Sequence, residues 1–378
     1  MLSFFILLLL NTASYPNDFD PYDINIDANV EQDDVDIRQE ELDLYKEYES
    51  VSKRGFINDG FVVFPYYTSV DGQSDALGLD TMYYFRRRAE PPNSKPSYLR
   101  GFIAVGENSY ADIGLAFNNY WKKERHNLYA FVDHERSTGY YYQTSTTERT
   151  DPLGTFKSNS SFLELMYRQK LSAYSYLGAI LLLHDYNVAL GSGVYPSSSI
   201  STGVGIIWGT LEPGSIFSSN RSFDFELKSV FYTKFMGSDN DFFVQTISLK
   251  KELKISEYHS IFLKSLDRFT AGSVPYIELC SIADVAQAYS KYQYRDRNML
   301  SFGGEYSLAL ISTVMLKGLL GIIYHSQSIA KFKLNEYLPY YGFGLSFTVN
   351  RAIGINGGVQ YLAGRDTKGI FFGIGAFY

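Results

Sequence analysis

The chain has 378 residues and a formal net charge of −7 at pH 7, enough length for one large domain or two ordinary ones. It carries 33 Tyr and 28 Phe but a single cysteine, Cys280, which excludes a disulfide framework and a cysteine metal cluster. The apolar stretches Tyr176 to Leu183 and Leu316 to Tyr324 are glycine-interrupted and shorter than the ~18 apolar residues of a spanning helix.

In chain order, Leu2 to Leu10 form an apolar run followed by Asn11-Thr12-Ala13-Ser14. Residues 1–14 therefore read as a secretory signal peptide, although no Lys or Arg precedes the run. Residues 15–50 hold thirteen acids against Arg38 and Lys46, a net of −11, which leaves +4 for residues 51–378. Residues 15–58 read as an acidic leader that cannot form a core of its own. Asp33-Asp34-Val35-Asp36 lacks the glycine and distant glutamate of an EF-hand loop, so no calcium site is assigned.

From residue 59 to 378 the pattern changes to segments of alternating hydrophobicity separated by turn residues. The predicted strands are 59–70, 78–89, 97–106, 109–120, 125–136, 160–172, 174–187, 200–212, 221–235, 240–253, 257–266, 298–311, 313–325, 338–350, 352–362 and 367–378. In one, Leu163, Leu165 and Tyr167 oppose Glu164, Arg168 and Lys170; in another, Phe225, Leu227 and Phe231 oppose Asp224, Glu226 and Lys228. Leu300, Phe302, Tyr306, Leu308 and Leu310 oppose Ser301, Gly303, Glu305, Ser307 and Ala309. Aromatics on one face and charges on the other suit lipid outside and water inside.

The last strand sharpens this. Ile370, Phe372, Ile374, Ala376 and Tyr378 share one apolar face, with Phe371 and Phe377 on the other, and the sequence stops there. A closing strand pairs on both edges and faces lipid, which fits this pattern better than a sandwich core. Ile370, Phe372, Ile374, Phe377 and Tyr378 are accordingly read as a C-terminal assembly signal. The fold class is all-β, a sixteen-stranded antiparallel transmembrane β-barrel. The longest gaps, 137–159 and 267–297, both follow odd-numbered strands, so with a periplasmic N-terminus both loops are external.

Four pieces of the barrel resemble the bacterial surface-antigen barrel of the BamA/TamA superfamily. They are Phe64-Pro65-Tyr66-Tyr67-Thr68, Val274-Pro275-Tyr276-Ile277-Glu278-Leu279, Tyr294-Arg295-Asp296-Arg297-Asn298-Met299-Leu300 with Gly304-Glu305-Tyr306, and Gly364-Arg365-Asp366-Thr367-Lys368-Gly369-Ile370-Phe371-Phe372. The resemblance covers residues 51–378 and implies movement or insertion of polypeptide or lipid without a chemical step. It implies outer-membrane lipid, the outer-membrane assembly machinery and a client polypeptide or lipid as partners, and the bacterial outer membrane as location. Two departures stand out. Where the family's sixth external loop carries apolar-Arg-Gly-aromatic, this chain has Ala286-Gln287-Ala288-Tyr289; the family's acid on the strand after the loop falls at Ser326. Residues 15–58 are also too short for the family's POTRA modules. With both latch partners gone, Arg295 or Arg297 is expected to pair with Glu305 inside the lumen.

No nucleophile-elbow, Walker or dinucleotide motif occurs, and His126, His134, His184, His259 and His325 lack metal-ligand spacing. His184-Asp185 is not read as a dyad, because strand neighbours face opposite ways. No cofactor, metal, catalytic residue or nucleic-acid partner is assigned. The competing readings are a passive pore or surface antigen and, third, an outer-membrane enzyme.

Overall fold

The computed structural model describes residues 56–70, 75–87, 96–122, 124–142, 152–172, 175–190, 198–210, 223–256, 258–311, 313–350 and 355–374. The stretch read as a signal peptide, almost all of that read as an acidic leader, and Phe377 and Tyr378 lie outside them.

The strands are β1 (Phe56–Val70), β2 (Ala76–Arg87), β3 (Ser97–Gly106), β4 (Ala111–Trp121), β5 (His126–Tyr141), β6 (Gly154–Lys170), β7 (Ser175–Leu190), β8 (Ser199–Thr210) and β9 (Phe223–Tyr232). There follow β10 (Phe242–Lys254), β11 (His259–Gly272), β12 (Cys280–Ser281), β13 (Arg295–Asp296), β14 (Asn298–Ile311), β15 (Val314–Ser326), β16 (Leu338–Asn350), β17 (Ile355–Gly364) and β18 (Thr367–Ile374). Sixteen of them close into one antiparallel ring, in which each strand pairs with its sequence neighbours, β11 with β14, and β1 with β18. The short β12 and β13 pair with each other inside the connection between β11 and β14. The sixteen predicted strands are the sixteen of the ring.

The pleat sorts side chains as the alternation requires. Outward positions are apolar and exposed, Leu320 by 70% and Phe343 by 62%. Among the described residues no second layer covers them, and this apolar outer band is the pattern of the lipid-facing wall of a transmembrane barrel. Inward positions carry charges that pair across strands: Arg100 with Asp80, Lys228 with Glu164 (3.0 Å), Arg168 with Glu226 (3.2 Å) and Lys317 with Glu305 (2.7 Å). Gly303 and Gly321, partners on β14 and β15, let the Tyr340 side chain lie against the wall; a Cβ at Gly321 would sit 2.3 Å from its ring.

Several boundaries differ from expectation. β1 begins at Phe56, inside the stretch read as leader. β5 continues to Tyr141, β6 starts at Gly154 and β11 runs to Gly272, so the loops after β5 and β11 are shorter than the sequence pattern implied. Ser137, Thr138, Lys157, Ser158 and Arg268 read as loop residues by polarity. The β5–β6 ladder nevertheless runs on from His126↔Gln169 to Tyr141↔Gly154, because neighbouring strands satisfy each other's backbone whatever the side chains are. The closing ladder joins Tyr67–Val70 to Gly369–Phe372, with Ile370 exposed on the outer face. Ile374 extends β18 against Gly357.

A charge placed on the outer wall tests this orientation. Leu320→Arg, central in β15, should lower the unfolding free energy in lipid vesicles by about 2–4 kcal/mol. Ser301→Ala on the inner face should cost clearly less; equal costs would mean that neither face contacts lipid.

Candidate functional site

The connection between β11 and β14, residues 273–297, is not a free surface loop. It is seated at the end of the barrel opposite the start of β1 and the end of β18. Its base is closed by Thr270, whose backbone N–H and Oγ1 both donate to the Arg297 carbonyl at 3.0 and 2.9 Å. The two-residue ladder Cys280↔Asp296 and Ser281↔Arg295 folds the segment into a hairpin, and buried Cys280 donates through Sγ to the Arg297 carbonyl at 3.2 Å.

The hairpin tip touches two opposite walls. On one side the Tyr289 hydroxyl donates to the Pro339 carbonyl at 2.5 Å and accepts from the Arg365 N–H at 2.9 Å. Thr367 Oγ1 donates to the Ala288 carbonyl at 2.6 Å. These partners belong to the ends of β16, β17 and β18. On the other side Lys291 Nζ binds Glu135 of β5 at 2.6 Å, and the Tyr292 ring packs edge-on against Phe156 of β6 at 4.7 Å. β17 and β6 lie about half-way round the ring from each other. Three residues of extended chain reach at most about 11 Å, so the Tyr289, Lys291 and Tyr292 side chains complete the crossing.

The residues singled out in the sequence divide clearly. Ala288 and Tyr289 are fully buried, while Gln287 is exposed. Tyr294 is buried at φ 51°, where the hairpin turns back to the wall. The expected Arg295–Glu305 contact is not formed. Arg295, 3% exposed, donates instead to the carbonyls of Tyr276, Ile277, Leu279 and Lys291 at 2.7–3.2 Å. Its guanidinium lies over the Tyr276 and Tyr292 rings, with centroids at 5.5 and 5.3 Å. Glu305 is taken by Lys317 from the next strand. Arg297 is half-buried, and its carbonyl rather than its side chain closes the loop base. The correction has a simple cause: a loop folded on itself has carbonyls without ladder partners, and a five-donor guanidinium satisfies several at once.

Sequence reasoning missed two histidine–carboxylate pairs that fasten the loop. Asp296 meets His325 of β15 at 3.1 Å, with both side chains nearly fully buried. Glu278 meets His184 of β7 at 2.8 Å and lies 3.8 Å from Arg268 of β11. Burial pushes the Glu278 carboxyl up; the hydrogen bond and charge of His184, then Arg268 and Arg295, outweigh it and hold the group below the usual glutamate range. His184 also meets Ser160 of β6 through its other ring nitrogen, at 2.8 Å. Asp185 faces away from it, exposed. Among the described residues no cluster of His, Cys, Asp and Glu has the geometry to hold a metal ion.

No protein-family model and no curated protein matches the chain. Solved structures do. BamA from Haemophilus ducreyi lacking POTRA domains 1–3 superposes with a TM-score of 0.54 at 9% identity, over 84% of this chain and 70% of that one. CdiB from Acinetobacter baumannii gives 0.55 at 10% identity, over 88% and 67%. CdiB from Escherichia coli gives 0.54 at 11% identity, over 82% and 62%. At these identities the likeness shows the barrel fold.

Two measurements check the loop geometry. Asp296→Ala leaves His325 buried without its partner, and should lower barrel stability by about 3–5 kcal/mol. A double-mutant cycle should show coupling for Asp296 with His325 and for Lys317 with Glu305, and none for Arg295 with Glu305. The second check uses pH. The depressed Glu278 carboxyl stabilises the docked loop above its unfolded pKa of about 4.3, and that stabilisation is lost as pH falls through the lower folded value. Protease protection of residues 273–297 should hold from neutral pH to about 5 and fall below about 4. In Glu278→Gln the slope due to this group should disappear.

Proposed function

We propose that the chain is a bacterial outer-membrane barrel that moves or inserts polypeptide or lipid, as the BamA/TamA resemblance implies. The observation that carries this reading is the loop anchored to opposite walls of the lumen. An open diffusion pore gains nothing from a hairpin braced across its bore, whereas a transport barrel needs a closed resting state. The likeness to BamA and CdiB barrels supports the same reading. So does the closing ladder, where Tyr67–Val70 meets Gly369–Phe372. Pro65 lies just beyond that ladder on β1; it offers no N–H to a neighbouring strand. The partners in this reading are outer-membrane lipid, the assembly machinery and a client chain or lipid.

The second reading, a passive pore, rests on the charge-lined inner wall. A recess of ≈ 260 Å³ in the inner wall is bordered by Arg168, Lys170, Lys250, Glu124, Asp224 and Glu226. Planar-bilayer recordings separate the two. The intact protein should show brief, variable openings of low conductance. Replacing residues 276–292 with a short Gly-Ser linker should give a steady large conductance. A steady large conductance from the intact protein would establish the pore instead.

A further inference from the structure

We infer that the inner wall of the barrel carries a serine hydrolase centre, Ser160–His184–Glu278, which takes carboxylic esters. Ser160 Oγ lies 2.8 Å from His184 Nε2, and His184 Nδ1 lies 2.8 Å from Glu278 Oε1. That is the linear order of nucleophile, base and orienting acid that defines such centres on unrelated folds. The three residues come from β6, β7 and the lumen loop, so no local motif announces them.

The protonation pattern follows from the acid. Glu278 is held below the usual glutamate range, and an ionised carboxylate can only accept. When the His184 ring carries a single proton, the carboxylate places it on Nδ1, which leaves Nε2 to accept from the Ser160 hydroxyl. That is the tautomer a general base needs. Phe162 and Tyr186 stand edge-on to the imidazole, with centroids at 5.7 and 5.9 Å, and fix its plane. Ser160 is half-buried on the inner face of β6.

A cation shares the same patch of wall. Glu135 is the direct partner of Ser160 across the β5–β6 ladder, and it holds Lys291 Nζ at 2.6 Å. Side chains directly opposite on neighbouring strands sit about 5 Å apart at Cβ. The ammonium is thus placed to meet negative charge developing on a carbonyl oxygen bound beside Ser160.

The step needs only water. Ser160 Oγ bonds to the ester carbonyl carbon as its proton passes to His184 Nε2, and the carbonyl electron pair moves to oxygen. Return of that pair breaks the bond to the alkoxy group, which leaves as an alcohol with the proton from Nε2. Water attacks the acyl-serine in the same way, releasing a carboxylic acid and restoring the hydroxyl. This adds chemistry to a barrel for which the sequence implied none.

The test uses the purified full chain, folded in detergent, with a small fluorophosphonate and p-nitrophenyl butyrate as probes. The fluorophosphonate should attach to Ser160, located by peptide mass, and Ser160→Ala should abolish both labelling and ester turnover. His184→Gln should slow turnover on the order of 10²-fold or more. Glu278→Gln disturbs the tautomer and should slow it on the order of 10²- to 10⁴-fold, with an altered pH profile that a purely structural role would not produce. Heat-shifted gel mobility confirms that each variant is folded. If the folded wild type labels no faster than Ser160→Ala, or hydrolyses the ester at the same rate, the centre is a structural tie and the inference is overturned.

Discussion

The structure rests on one constraint: every strand must find a hydrogen-bonding partner on both edges without help from water. Only a closed ring meets it. Closure with sixteen antiparallel strands puts the start of β1 and the end of β18 on one side and the β11–β14 connection on the other. It also divides every strand into a lipid face and a lumen face. Charges therefore appear on alternate positions, and in the confined lumen they pair with neighbours instead of with bulk solvent. Glu305 shows the consequence: on the inner face of β14, it is taken by Lys317 from the adjacent strand and is no longer available to a loop.

The lumen loop faces the same constraint without a ladder to meet it. Residues 276–279 and 291 present carbonyls inward, and Arg295 answers four of them. Its positive charge is spread over carbonyl dipoles and two aromatic faces, so burial is tolerated without a directly bonded carboxylate. Arg295 thus organises the hairpin internally, whereas Tyr289, Lys291, Asp296 and Glu278 attach it to the wall. These roles are separable, because the attachment residues contact four different regions of the ring.

Much of the fold was legible in the sequence. Period-2 alternation identifies a strand and its faces from local information alone, and the sixteen segments and the outward setting of Leu165, Tyr167, Phe302 and Tyr306 follow from it. Strand ends were less legible, since Ser137 or Lys157 looks like loop chemistry until a neighbouring strand is known to continue beside it. The site was legible only as a location. Burial of Tyr289 and Arg295 agrees with a loop folded inward, but their partners are set by barrel register. Ser160, His184 and Glu278 are separated by 24 and 94 positions, and no pattern short enough to recognise links them.

The Asp296–His325 pair ties the loop to β15 without the arginine and acid that the resemblance implies. In that arrangement the loop supplies the positive group and the wall the negative one. Here the loop supplies Asp296, and the wall supplies His325, the residue immediately before Ser326, where the acid was expected. The carboxylate of this tie is on the loop and the imidazole on the wall. On β15 His325 has the parity of Lys317 and Ile323, opposite to exposed Leu320, so it lies on the lumen face and Asp296 reaches it from inside the barrel. Tyr294 supports this, with its ring beside His325 at 6.2 Å and beside Tyr289 at 5.6 Å. The Tyr289 hydroxyl bridges Pro339 and Arg365, a task independent of charge. The loop is therefore docked by an acid on the loop and a histidine on the wall, together with this aromatic bridge.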